Sequence, residues 1–416
     1  MVYEHTDDMR SIKVIYKDLQ RFKLQENEAI YLLKLSPKSR NGEKFDEIFK
    51  KDDEAVSDFP GFVRLEEATY DFKQYQDLLF GLKRFQEANK DAKKYLIVQG
   101  HGMGFGFFRT QPGHADDDFN DLVLQVNDNF FISYAIDLSH KYFSTGGIAV
   151  LYDVLWNHEF SKAIHKVDKL YFELALFNTC ATMLLDNCFL FADKVKYLIG
   201  SQNYLTTDFL PIPIILKNIR ESNGDDDLKF SKSVFDSYVE NAELIGRGRR
   251  VLALKEASLS LVQLRDFRYV LKRLNEILRR LIEHHMDDVA WILNMRERLW
   301  LIGSGYDYVD LCMFLDEINS LAKTELNDNG LVFATEKLKE YVGKVVQSTW
   351  IYTGPPRRAI AHYNGINIFF PDQKILMDSS LMPYRDIYSD YFIGKSNWDD
   401  FLKKLARKLK NKPSDE

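Results

Sequence analysis

The strongest constraint on the fold of this chain is a pattern that occurs three times: a helix, then a short apolar strand, then a loop. TYDFKQYQDLLFGLKRFQEANKDA carries apolar residues at helical spacing and runs straight into KKYLIVQGHG. VLYDVLWNHEFSKAIHKV reads as a helix with Leu155, Phe160 and Ile164 on one face, and it precedes the apolar first half of KLYFELALFNTCATM. A short helix after Cys180 then leads to the strand KVKYLIGSQN. Strands that are apolar on both faces, alternating with helices, belong to a mostly parallel sheet covered on both sides. In such sheets ligands bind beyond the carboxyl ends of the strands. A further strand is expected at Ala29–Leu35.

Beyond this α/β core the helical period dominates from about residue 230 to 345, as in SLSLVQLRDFRYVLKRLNEILRRLIEHHMDD. The reading is a core over 1–225, a helical lobe over 226–345, and a closing part over 346–416. The closing part holds returning strands in QSTWIYTGPPRRAIAHYNGINIFFPD and a terminal amphipathic helix in SNWDDFLKKLARKLKNK.

The 416 residues carry a net charge of -6, which argues against a nucleic-acid footprint and leaves peptide partners open. The three cysteines, Cys180, Cys188 and Cys312, make a poor disulfide framework and suit a reducing compartment. The first residues are charged throughout, with no apolar signal region. No apolar run approaches the ~18 residues of a membrane span. A cytoplasmic protein is therefore expected, with no membrane partner. Oligomeric state is not legible.

The stretch LIVQGHGMGFGFF, Leu96–Phe108, raises a phosphate loop first. Counting from Gly100, the third glycine of a dinucleotide motif falls on Phe105, and no helix follows. A P-loop would need a Lys-Ser/Thr pair that is absent. What remains is His101, directly after a buried strand. Alone it reads as a turn histidine. Cys180 likewise ends an apolar strand, and alone it reads as a small core residue. If the two strands are adjacent and parallel, both side chains emerge at one edge, and thiol plus imidazole is the minimal set for nucleophilic catalysis. A helix starting at Cys180 would lower its pKa. Cys188 and Cys312 read as core. A zinc site from His101, His114 and Cys180 lacks any close-spaced ligand pair. His284-His285 reads as solvated, and Arg247-Gly248-Arg249-Arg250 as a surface loop.

Gln99-Gly100-His101-Gly102, NHEFSKAI, LALFNTCATM, YLIGSQN, YDYVDLCMFLDEI, GINIFFPD and YSDYFIGKSNWDDFLKKL, in this order over about residues 90–405, resemble the clostripain-like cysteine peptidases of the caspase-fold clan. The resemblance implies a caspase-like α/β/α sandwich and a cysteine endopeptidase acting on peptides or proteins. His101 would be the catalytic histidine and Cys180 the nucleophile, with the N–H groups of Gly102 and Cys180 as oxyanion hole. Many members carry an acidic residue two positions before the cysteine, where this chain has Asn178. Acidic residues are usual in the loop after the next strand, where it has Gln202 and Asn203, with Asp208 further on. A preference for basic residues is thus put in doubt. No cofactor is demanded by the sequence. Some relatives need calcium, for which Asp116-Asp117-Asp118 could contribute ligands, although that run also reads as a solvated turn. SHKYFSTGGIAV is a plausible place for self-cleavage. The rivals are a non-catalytic caspase-fold interaction module or zymogen-like regulator, and acyl transfer on a non-peptide substrate.

Overall fold

The computed structural model describes residues 2–5, 30–34, 62–64, most of 75–111, most of 150–371, and 395–410. In chain order its elements are β1 (Val2–His5), β2 (Ile30–Lys34), β3 (Phe62–Arg64), α1 (Tyr75–Ala88), β4 (Tyr95–Gly102), β5 (Gly106–Gln111), β6 (Val150–Trp156) and α2 (Asn157–His165). Then follow β7 (Phe172–Asn178), α3 (Leu185–Phe191), β8 (Val195–Gly200), α4 (Ile212–Glu221), α5 (Asp227–Arg247), β9 (Glu256–Gln263), α6 (Phe267–His284) and α7 (Ala290–Arg298). The chain continues with β10 (Tyr308–Asp310), α8 (Leu311–Thr324), α9 (Asn329–Val345), β11 (Val346–Thr353), β12 (Asn367–Phe369) and α10 (Trp398–Lys410).

The main sheet runs β11-β9-β8-β7-β4-β1-β2-β3. The six strands from β8 to β3 are mutually parallel, while β9 is antiparallel to both β8 and β11. Strand alternation divides the core into two faces, because successive side chains point to opposite sides. Leu96, Val98, Phe172, Ala175, Phe177 and Leu198 join one apolar cluster with α1, α2, α3, α6 and α8–α10. Ile97, Leu174, Leu176, Tyr197 and Ile199 join a second with α4 and α5. The result is the expected α/β/α sandwich with a mostly parallel central sheet.

Three segments differ from the sequence reading. VLYDVLW is not helical: Val150–Trp156 forms β6, antiparallel to β5, and α2 begins only at Asn157. Its β-branched and aromatic residues favour the pleated surface. Within the helical stretch, Glu256–Gln263 is β9, inside the main sheet. Ala257, Leu259 and Leu261 alternate with Ser258 and Ser260, a period of two that outweighs the helical pattern around it. Finally, of the returning strands, β11 joins the sheet but β12 pairs with β10 in a separate two-stranded sheet. The helices after β9 share the first apolar cluster with α1–α3, so the core continues across the expected lobe.

His285 is not solvated as expected. Its Nε2 lies 2.8 Å from Asp328 Oδ2, which also accepts from Arg280 Nε at 2.6 Å. Asp328 in turn caps α9 through Leu331 N–H. Cys188 and Cys312 are buried, as anticipated, and burial raises both thiols, Cys312 to about 12.

Asp186, in the first turn of α3, is a buried carboxyl that no donor of another described residue reaches. Burial raises its pKa from 3.8 to about 7. A raised folded-state pKa means its contribution is most favourable below about pH 4 and is lost as pH climbs toward 7, at about 1.4 kcal/mol per unit. Asp186→Asn removes this dependence. Its melting temperature relative to wild type is expected to rise between pH 5 and pH 8 in thermal melts; a pH-independent difference contradicts the assignment.

Candidate active site

β4 and β7 are adjacent and parallel, paired from Tyr95 opposite Leu174 to Gln99 opposite Asn178. The offset in this register is 79 positions, and the same offset separates His101 from Cys180. Two residues past the end of the ladder, both positions lie at the carboxyl edge of the sheet. There β4 turns away to pair with β5, His101 opposite Phe108 and Gly102 opposite Phe107. The side chain of His101 lies outside the described residues.

Gly102 is the point of closest approach. A Cβ built on it would lie 2.6 Å from Cys180 O, 2.9 Å from Thr179 Cβ and 3.2 Å from Cys180 N. Two of those atoms are backbone and cannot yield cheaply, so only glycine lets the two strand ends touch. Past it, Gly104 sits at φ +84°, where a side chain would overlap Tyr308 and Leu184. The Gly104 carbonyl accepts from Asn157 Nδ2 at 2.6 Å and Asn187 Nδ2 at 2.7 Å. Asn187 also donates to Thr182 O at 2.8 Å. One amide on α3 therefore ties the His101 hairpin to the Cys180 loop.

Cys180 lies in a tight turn rather than at a helix start; α3 begins at Leu185, so the expected dipole effect is missing. Ala181, the next residue, is at φ +54°, the left-handed region that alanine avoids. Strained backbone of this kind costs on the order of 1–3 kcal/mol and persists only where neighbours enforce it. Here Ala181 N–H donates to Asn203 O at 2.7 Å, Met183 N–H to Ser201 O at 2.8 Å, and Thr182 Oγ1 to Thr179 O at 3.0 Å. The elbow leaves the Cys180 thiol partly exposed, against the Leu205 backbone: Sγ accepts from Leu205 N–H at 3.4 Å and donates to Leu205 O at 3.5 Å. Burial pushes the thiol above its ordinary pKa and the Leu205 bond offsets part of this. The expected lowering is not found.

The residues expected to touch substrate are held inside the protein. Asn178 is 1% exposed; its amide donates to Gln99 Oε1 and accepts from the buried Tyr238 hydroxyl of α5. Gln202 is fully buried, donating to Asp310 Oδ2 at 2.9 Å and Asn367 Oδ1 at 2.6 Å while accepting from Gly365 N–H at 2.7 Å. Asn203 donates to the Tyr363 hydroxyl at 2.9 Å. The polar atoms of Asn178 and Gln202 are thus engaged with other buried groups of the protein. Asp208, His114, Asp116–Asp118 and residues 139–149 lie outside the described residues. No group of three possible metal ligands occurs among the described residues. Nor does any helix among them reach the length and apolarity needed to cross a membrane.

Asn157, Asn187 and Asp310 were missed in the sequence reading. Asp310 had a readable signal: it precedes the apolar helix LCMFLDEI, and its Oδ1 caps α8 through Cys312 N–H at 2.8 Å. The two asparagines had none, because their shared partner is a carbonyl more than fifty positions away from each.

Gly102→Ala forces a methyl group against the Cys180 backbone. It is expected to lower stability by about 1–3 kcal/mol, read in denaturant melts. Wild-type stability would contradict the close approach.

The fold and site allow comparison with known proteins. No curated protein matches this chain. Its structure is similar to that of a secreted C11 cysteine protease from Bacteroides thetaiotaomicron, "iotapain", with a TM-score of 0.57 at 13% identity over 92% of this chain and 98% of that one. It is also similar to an inactive zymogen C11 protease from Parabacteroides distasonis, with a TM-score of 0.52 at 13% identity over 97% and 96%. These likenesses give the caspase-like fold. The sequence profile of the clostripain family matches residues 149–405, a span that includes Cys180 and starts beyond His101. The chain belongs to the clostripain family and is a cysteine peptidase.

Proposed function

We propose that Cys180 and His101 form the catalytic dyad of an endopeptidase. The observation that carries this is the shared 79-position offset, which brings both residues to one edge from adjacent parallel strands. The imidazole takes the thiol proton, and the thiolate attacks the peptide carbonyl. The N–H groups of Gly102 and Cys180 would meet the developing oxyanion, a role supported by the close approach of Gly102 to the Cys180 backbone. The imidazolium protonates the leaving amine, and water then hydrolyses the thioester. With a raised intrinsic pKa, Cys180 depends on that imidazole for its reactivity.

Substrate preference then rests on groups other than Asn178 and Gln202, whose buried hydrogen bonds support a bracing role. Asp208 is the carboxylate left to consider. Calcium enters by resemblance alone, and no step runs through it. The three unpaired thiols support a cytoplasmic setting.

A zymogen-like resting form is the second reading, favoured by the Cys180 thiol hydrogen-bonded to Leu205. Self-cleavage in residues 139–150 would then release it. Intact mass of wild type against Cys180→Ala decides this: a shorter wild-type chain is expected, and equal masses remove the reading.

Cleavage of a peptide library tests the main proposal. Cys180→Ala and His101→Ala are each expected to lose at least about 10³-fold in rate while keeping the fold by circular dichroism. Undiminished cleavage by Cys180→Ala would overturn the dyad.

A further inference from the structure

A cleft of about 620 Å³ lies on the helical layer, away from the sheet edge that carries Cys180. Its walls include Phe189 of α3, Arg268, Lys272, Glu276 and Arg279 of α6, and Lys395. Arg268, Lys272, Asn275 and Arg279 follow one another at intervals of four, three and four, so they form a single stripe along α6. Four cations thus converge on one concavity in a protein whose net charge is -6.

Acidic groups balance only part of this charge, at Arg268 and at the Glu276 wall. Glu276 faces Arg273 at 2.7 Å, and Asp193 pairs with Arg268. Neither Lys272 nor Arg279 has a carboxylate partner among the described residues. Burial first, and then Lys194 and Lys395, hold the His165 imidazole below its usual range, although the Ser161 carbonyl and Asp193 oppose them.

The cleft is also braced. Asn275 Nδ2 donates to Lys395 O at 2.6 Å, and Asn397 N–H donates to Asn275 Oδ1 at 2.8 Å. Lys395 Nζ sits 5.8 Å from the Phe189 ring centre. Two asparagines therefore fix the segment that delivers Lys395 to the stripe on α6. A preformed concavity of this volume suits a small molecule rather than a polymer. Arginine presents a planar fork that matches phosphate oxygens, and lysine adds point charge.

We propose that the cleft between α6, α3 and residues 395–397 binds a small, multiply charged phosphate compound. The phosphates would lie along Arg268, Lys272 and Arg279, with Lys395 closing the far side. The floor of the site is Phe189, on the same helix as Asn187, whose amide joins the Cys180 loop to the His101 hairpin.

The test is calorimetric titration of the full chain at about 0.15 M salt, where long-range surface attraction is screened. The probes are tripolyphosphate, orthophosphate and a hexa-aspartate peptide. Lys272→Glu/Arg279→Glu is compared with Lys217→Glu/Lys229→Glu, which makes the same change in net charge on α4 and α5, on the other face of the sheet. All four side chains are exposed, so both variants keep the fold. Saturable one-to-one binding of tripolyphosphate is expected, stronger than that of orthophosphate. It should weaken at least about tenfold in the α6 variant and stay within about twofold in the control. Absence of saturable binding overturns the proposal, as does equal weakening in both variants. Tighter binding of hexa-aspartate at the same residues overturns the ligand class and makes the cleft an acidic-peptide site.

Discussion

The parallel ladder between Tyr95–Gln99 and Leu174–Asn178 is the constraint on which the rest of the site depends. Register in a sheet is all or nothing: a slip of one residue turns every side chain to the opposite face. Here the pairing is fixed from both sides, by Leu96, Val98, Ala175 and Phe177 in one apolar cluster and Ile97, Leu174 and Leu176 in the other. Burial on both faces leaves one acceptable alignment. That alignment ends with Gln99 opposite Asn178, two residues short of His101 and Cys180, and Gly102 lets the two chain ends approach closely.

Around this edge the protein spends polar groups on rigidity. Gln202, Asn203, Asp310, Asn364, Asn367 and Tyr363 link the loop after β8 to the start of α8 and to β12. Burial pushes the Asp310 carboxyl up, while Gln202, Asn364 and Met313 N–H pull it back down. A buried network of this kind is stabilising only when its members are satisfied. Asp310 accepts five hydrogen bonds, from Gln202, Cys312, Met313 and Asn364, the last through both its backbone and its side chain. The network also holds Asn203, whose carbonyl fixes the left-handed Ala181 beside the thiol. Residues far apart in sequence thereby share one task, which is to present Cys180 on a strained elbow.

The order of helices and strands around the site was legible because each core strand is a short apolar run between amphipathic helices. The segments misread are those whose local pattern was mixed: SLSLVQ completes a strand inside a helical stretch, and VLYDVLW abuts a helix without a break. The positions of His101 and Cys180 could be named, yet their adjacency depends on a strand pairing that spacing alone does not reveal. The buried partners of Asn178 and Gln202 were not legible for a related reason. An amide in a sequence says nothing of whether its partner is a ligand or another buried amide, and here both face inward. The Asn157 and Asn187 clamp on Gly104 lies beyond sequence reasoning altogether, since it is set by how two helices pack on the sheet.

Burial makes the Cys180 thiol a poor nucleophile, and the proposed dyad requires the His101 imidazole to make it a good one. Site-resolved alkylation, followed by peptide mass spectrometry from pH 5 to pH 10, measures that coupling directly. In wild type Cys180 should react fast well below neutral pH, while Cys188 and Cys312 stay slow throughout. In His101→Ala the Cys180 profile should move to alkaline pH, as its raised intrinsic pKa requires. Superimposable Cys180 profiles in the two proteins would contradict the pairing of His101 with Cys180.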